Sequence, residues 1–130
     1  MTILEELMAR ARQPSTSEDS FFRGRPDVAG MATEDNQITL SPYRQMRPEE
    51  KDSVLRNEAV RLFLRLNPQL RPNFSITPQQ EGRFANYGTA QDIRDTISAR
   101  LFSGDPSAGS PTNEQSDFIR LLTNLLFARN

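Results

Sequence analysis

Apolar residues recur at helical spacing in several places along this chain and are scattered in one long stretch, and that contrast predicts its organisation. Leu4, Leu7, Met8 and Ala11 stand at i, i+3, i+4 and i+7 behind a Thr2–Glu5 capping-box pattern, and Pro14 closes the run. The spacing predicts a short amphipathic helix within residues 1–13. Isolated helices below ~12–15 residues are marginal in water, so its apolar stripe needs a partner, either its own core or another chain.

The stretch 14–47 has no helical period and is rich in small and polar residues. Within it Phe21, Phe22, Ile38, Leu40, Tyr43 and Met46 are spaced like anchors on an extended strap. Gln37-Ile38-Thr39-Leu40 can add as one strand to a sheet edge or lie in a groove. A structureless run of this length is unusual inside a compact domain, and a docked arm and a free linker both fit it.

From Pro48 to Leu66 there is neither Gly nor a further Pro; Pro48 suits the first helical position, and Glu49 and Glu50 suit the positive end of the helix dipole. Leu55, Ala59, Leu62, Phe63 and Leu66 share one face, Val60 and Leu64 fall nearly opposite, and Arg61 and Arg65 lie to one side. A helix apolar on two sides is either central to a bundle or touched by the arm or by another subunit. Asn67-Pro68 ends it, and an extended connector follows. Thr77, Pro78 and Gln80 open a short helix to about Ala85. Thr89 starts another, carrying Ile93, Ile97 and Leu101, which stops at Ser103-Gly104. Thr112 and Gln115 begin the last helix, whose Phe118, Leu121, Leu122 and Leu125 form a stripe widened by Ile119 and Leu126. That stripe is expected at the heart of the core. The fold class expected is all-α: a helical domain of about four helices over 48–130, preceded by a helix in 1–13 and an extended arm over 14–47.

Composition adds what this chemistry excludes. The 130 residues are 35% hydrophobic and 25% charged, with a formal charge of −1, and the mean hydropathy is −0.65. The apolar fraction is below that of ordinary globular chains, which agrees with part of the chain lying outside a core. There is no Cys and no His, so thiolate chemistry, imidazole bases and imidazole metal ligands are absent. Near-neutral charge argues against a general nucleic-acid coat. No apolar run approaches the ~18–20 residues needed to span a bilayer, and the acidic start does not match a secretory signal. The chain is expected to be soluble and made in the cytoplasm. Lys51 is the only lysine among 16 basic residues, and arginine forks suit interfacial carboxylates.

Paired carboxylates are the acid–base option left: Glu49 with Glu50, Asp92 with Asp95, Glu114 with Asp117. Each pair sits in a first helical turn, where the dipole alone accounts for it. A carboxylate metal site from Glu81, Asp92 and Asp95 has no ligand loop behind it, and Ser103–Ser110 lacks the Lys and Ser/Thr of a phosphate loop. Neither a catalytic residue nor a cofactor is expected. Phe21-Phe22-Arg23-Gly24-Arg25 interleaves rings and arginines, which suits protein anchoring or single-stranded nucleic acid. Arg61 and Arg65, one turn apart, can receive a phosphate or form a solvated face beside Glu58.

The strap through Ser41-Pro42-Tyr43-Arg44, the Asn57-Glu58-Ala59 helix and the Gly104-Asp105-Pro106-Ser107 turn give a layout that resembles small accessory structural proteins of tailed-phage virions. The resemblance implies a non-enzymatic subunit ordered by neighbouring proteins in a head, connector or tail, and therefore incorporation into a virion. It carries over no functional residue. The expected function is an assembly subunit that clamps other protein subunits through Leu4, Leu7, Met8, Phe21, Phe22, Arg23, Arg25, Ile38, Leu40, Tyr43, Met46, Val60 and Leu64, with no membrane or small-molecule partner. The alternative is a regulatory nucleic-acid binder using the arginines of the arm and of the long helix.

Overall fold

The computed structural model describes residues 1–130 and contains six helices and one small hairpin. In chain order these are α1 (Ile3–Met8), α2 (Thr16–Gly24), β1 (Gly30–Ala32), β2 (Ile38–Leu40), α3 (Pro48–Leu66), α4 (Pro78–Arg83), α5 (Ala90–Ser103) and α6 (Asn113–Leu126). The class is mostly α rather than all-α. Capping boxes start α1, α2, α4, α5 and α6, each satisfying amide donors that the first turn leaves unpaired. Only α3 lacks a side-chain cap, and Pro48 at its start removes one of those donors. Gly104 ends α5 in the left-handed conformation, at φ 77°.

The expected bounds of α3 and α5 match the structure, and α4 is slightly shorter than expected. The front of the chain differs. Residues 14–47 are not an extended arm: Ser15 and Glu18 form a capping box that starts α2, and β1 pairs antiparallel with β2 through Met31 opposite Thr39. The turn is closed by Thr33 N donating to Gln37 O at 2.8 Å, with Asn36 left-handed at φ 60°. Ile38-Thr39-Leu40 is a strand, as its pattern allows, and the edge it joins belongs to its own chain. On its other side Arg12 N donates to Ile38 O at 2.8 Å and Ile38 N to Arg10 O at 3.1 Å. The N-terminal helix stops at Met8, a turn follows at Ala9-Arg10, and Ala11 bridges Ile38 in parallel on the free side of β2.

The physical reason is α3. Ala59, Val60, Leu62, Phe63 and Leu64 are all buried, so its apolar surface extends around most of its circumference and needs cover on several sides. α5 covers one side, α1 another, and β1 and β2 a third. Gly30 permits the closest approach: a Cβ there would stand 2.8 Å from Val54 Cγ1 and 3.1 Å from Thr39 O. The main core joins Leu4, Leu7 and Ile38 to α3, to Ala99 of α5 and to Leu122 and Leu126 of α6; a second cluster comprises Phe74, Phe84, Ile93 and Ile97, with Phe118 packed against both. The heart of the core is thus α3 rather than α6, whose Leu121 is 51% exposed. The ends of the chain close together, Ile3 N donating to Ala128 O at 3.0 Å and Asn130 N to Met1 O at 3.2 Å.

An ion triad fastens the refolded front. Arg12 donates to both Glu18 oxygens, at 2.7 and 2.9 Å, and to Asp35 at 2.9 Å, tying the start of α2 to the hairpin turn. The hydrogen bonds from Arg12 hold the carboxyls of Glu18 and Asp35 down at about 2.

Both carboxyls are more acidic folded than unfolded, so their stabilisation is complete above their ordinary values of 4.5 and 3.8 and is lost as the pH falls towards about 2. Urea unfolding at stepped pH is expected to show this acid flank, flattened in Arg12→Gln. Phe22, which has no exposed surface, is expected on replacement by Ala to lose about 3–5 kcal/mol in the same assay; a free-arm Phe22 would cost nothing.

Candidate functional site: an arginine-lined cleft

α3 and α5 lie antiparallel, as two cross-links show: Ser53 Oγ donates to Ser103 O at 3.3 Å near one end, and Arg61 Nη1 donates to Thr96 Oγ1 at 3.3 Å further along. Helical spacing places Ser53, Asn57, Arg61 and Arg65 on one stripe of α3 and Asp92, Thr96 and Arg100 on the opposing stripe of α5. This polar seam floors a cleft of about 1680 Å³. The opposite wall is the folded front of the chain, including Phe21, Arg25 and the stretch from Val28 to Asp35.

The charges in the cleft are unevenly partnered. Arg12 holds Glu18 and Asp35, Arg25 holds Asp27 at 3.3 Å, and Arg71 holds Asp95 with Asp92 3.9 Å away. None of the ion pairs involves Arg44, Arg65 or Arg100, and none involves the lining acids Glu34 and Asp105. Arg65 donates to Thr33 O at 2.5 Å. Arg100 donates to Ser107 Oγ and Tyr87 Oη, both at 2.5 Å, and its guanidinium lies 5.2 and 5.3 Å from the ring centres of Phe84 and Tyr87. Arg61 donates through Nε to Asn57 Oδ1 at 3.1 Å.

Among these groups sits Glu58, whose residue surface is only 8% exposed. Its nearest basic group is Arg61, at 3.8 Å, beyond hydrogen-bonding range. Burial pushes its carboxyl above the usual range, against the opposing pull of Arg61, the Ala32 amide and Arg100. A buried acid with a raised pKa at the floor of a cleft is a recognised marker of a functional site.

No protein-family profile, curated protein or solved structure matches this chain. The chain's own residues therefore carry the functional argument.

The residues expected to grip a partner divide into three groups. Leu4, Leu7, Phe22, Ile38, Val60 and Leu64 are buried in the protein's own interior, a correction to their expected role: α3 supplies the apolar neighbour they require. Met8, Leu40 and Met46 are half-buried. Phe21, Arg23, Arg25 and Tyr43 are exposed, but Arg23 bonds to Asp19 at 3.0 Å and to Tyr43 Oη, Tyr43 Oη donates to Asp19 at 2.7 Å, and Arg25 bonds to Asp27. Only Phe21 and Arg25 of this group line the cleft. Arg61 and Arg65, singled out by their spacing, do meet there, while Arg56 pairs with Asp52 at 2.8 Å.

Three of the paired carboxylates are engaged in structural contacts. Asp92 caps α5, Asp95 pairs with Arg71, and Glu114 accepts from Ser75 N at 2.6 Å. Ser103–Ser110 includes a short 3-10 turn, where Asp105 accepts from Ser107 N at 2.9 Å. Sequence spacing alone does not bring Asn57, Glu58, Tyr87, Thr96 and Arg100 together as one site. The available signal was the four-residue repeat Asn57–Arg61–Arg65, a polar stripe along a helix apolar on two other faces.

Glu58 sets a second pH flank, opposite in sign to that of Arg12. An acid more readily protonated when folded contributes fully below its ordinary value of 4.5, and that contribution is lost as the pH rises through its raised value. Glu58→Gln is expected to remove this decline and raise the melting temperature at neutral pH relative to the parent, with the difference vanishing in acid.

Proposed function

We propose that this chain is a non-enzymatic docking subunit of a protein assembly, which receives part of a neighbouring protein in the cleft between its α3–α5 seam and its folded front. The cleft itself carries the reading. Small-ligand pockets are mostly apolar and typically ~300–1,000 Å³. This one has a volume of about 1680 Å³, and only 7 of its 32 lining residues are hydrophobic. Its lining combines seven arginines and two exposed aromatic rings, side chains enriched at protein interfaces, with eight carboxylates. Phe21 is 42% exposed on one wall and Tyr87 44% exposed among the lining residues contributed by the C-terminal part.

The proposal reverses the expected mechanism. A donated arm would have to be ordered at ~1–2 kcal/mol of conformational entropy per residue, whereas a cleft already held by secondary structure meets its partner preorganised. The clamp through Leu4, Leu7, Phe22, Ile38, Val60 and Leu64 is set aside because those groups are enclosed. Nucleic-acid binding through Arg23 and Arg25 has less support, since their own acids already neutralise them. The compact helical end of the layout resembles tailed-phage accessory proteins still, and a phage head, connector or tail is the assembly setting which that resemblance adds.

The absence of cysteine makes positional labelling simple. Single cysteines carrying a photo-cross-linker at Phe21 and Tyr87, and at Arg120 on the exposed side of α6 as a control, are to be introduced and irradiated in extract of the source cells. Cross-links to one common protein from the two cleft positions and not from Arg120 are expected; equal capture from all three would refute docking in the cleft.

A further inference from the structure

The hairpin has one edge that no strand of this chain covers, the outer side of β1. We propose that the docked element joins it as a third strand: an extended segment of the neighbouring protein, hydrogen-bonded through its backbone to Gly30 and Ala32 at the cleft wall. This rests on the docking reading and adds how the occupant is held.

Pairing parity shows which backbone groups are free. Thr33 N donates to Gln37 O and Ser41 N to Ala29 O, both at 2.8 Å, so Ala29, Met31 and Thr33 are the residues that bond across to β2. The residues between them, Gly30 and Ala32, direct their amides and carbonyls the other way. The same alternation governs β2, where Ile38, opposite Ala32, points outward and is taken up by Arg10 and Arg12 of its own chain. That edge is already extended. On β1 the Ala32 amide faces the Glu58 carboxyl, and Gly30 N–H, Gly30 C=O and Ala32 C=O are left without a partner.

Two observations set this edge in the cleft. Gly30, Met31 and Ala32 alternate between the two faces of the hairpin, yet all three line the cleft, and the edge is what both faces share. Glu58, which the Ala32 amide meets, is itself a lining residue, so the outward groups of β1 point into the same space. The eight carboxylates of the lining nearly balance its seven arginines, so charge does not choose the occupant. Free amides and carbonyls at the strand repeat do, because the complement of a sheet edge is another extended backbone. Gly30 and Ala32 are half-buried, a recess that admits an inserted strand and shields the edge from indiscriminate pairing.

The test uses the full chain and residue-resolved amide hydrogen exchange by NMR. In the free protein the Met31 amide, paired with Thr39, is expected to be protected and the Gly30 amide to exchange much faster. The probes are an octapeptide of alternating threonine and valine with serine-glycine ends, the same peptide N-methylated at every amide, and a helix-forming peptide of alanine, glutamate and lysine. At millimolar concentration the first is expected to slow exchange at Gly30 about tenfold or more, and the other two to leave it unchanged. Ala32→Pro removes an outward amide, keeps the Met31–Thr39 pair and sets a ring where the third strand would lie. It is expected to stay folded in a thermal melt and to lose the effect; should it unfold, the methylated peptide tests the ladder on the parent protein.

A Gly30 amide as slow as Met31 in the free protein would overturn the proposal, since its edge would already be covered. So would equal protection by the methylated or helical peptide, or none by the threonine–valine peptide. Cross-links from Phe21 and Tyr87 to one protein that persist in folded Ala32→Pro would sink the strand assignment alone; equal capture from Arg120 would sink the docking reading with it.

Discussion

The fold depends on covering α3. Its buried residues, Ala59, Val60, Leu62, Phe63 and Leu64, run consecutively around the helix with one interruption, so no single neighbouring layer can remove them from water. Each of the four larger side chains, Val60, Leu62, Phe63 and Leu64, loses ~1.5–3 kcal/mol if left exposed. Helices that follow α3 can pack against part of it. The remaining surface has to be covered by the segment that precedes it, and that requirement folds residues 1–47 back onto the body. Leu4 and Leu7 from α1 and Ile38 from β2 join the same core cluster as α3.

The interruption is Arg61, and it has the opposite effect. Its guanidinium cannot be enclosed without partners, so Asn57 and Thr96 receive its hydrogen bonds and the α3–α5 contact becomes polar along that line. Arg65 and Arg100 extend the polar line in either direction. The folded front covers the apolar sectors of α3 and touches the polar stripe at Arg65, which donates to Thr33 O; the rest of the stripe lines the cleft. The same helix therefore builds the core on most of its circumference and the candidate site on the rest. Glu58 lies at the border of the two, close enough to the interior to lose hydration and close enough to the arginines to keep some of its charge stabilised.

The two sets of carboxyls tie this architecture to pH from opposite directions. Glu18 and Asp35 favour the folded front only while ionised, because their stabilisation is the Arg12 bridge. Glu58 favours the fold while protonated, because its environment is desolvated. A molecule arranged this way is most stable between the two transitions, and its front third and its cleft report separately on acid and on neutral conditions.

Much of the helical domain was legible in the residues alone. Pro48, Thr89 and Thr112 mark helix starts, Asn67-Pro68 and Gly104 mark ends, and the two apolar faces of α3 mark it as central, because caps and periodicity act within a few residues of one another. Ser15–Glu18 was an equally local signal for α2, masked by the small polar residues around it. The partners of Phe22 and Ile38 were not legible: an isolated apolar residue needs a neighbour, and nothing in local spacing tells whether that neighbour lies on the same chain. Nor was the meeting of Glu58 and Arg61 with Arg100, about forty residues away, which depends on the antiparallel alignment of α3 and α5. Sequence by itself determined the helices and the absence of thiol and imidazole chemistry; tertiary structure alone decided that the front of the chain folds inwards and where unpaired arginines gather, because burial and charge balance are set by groups far apart in the chain.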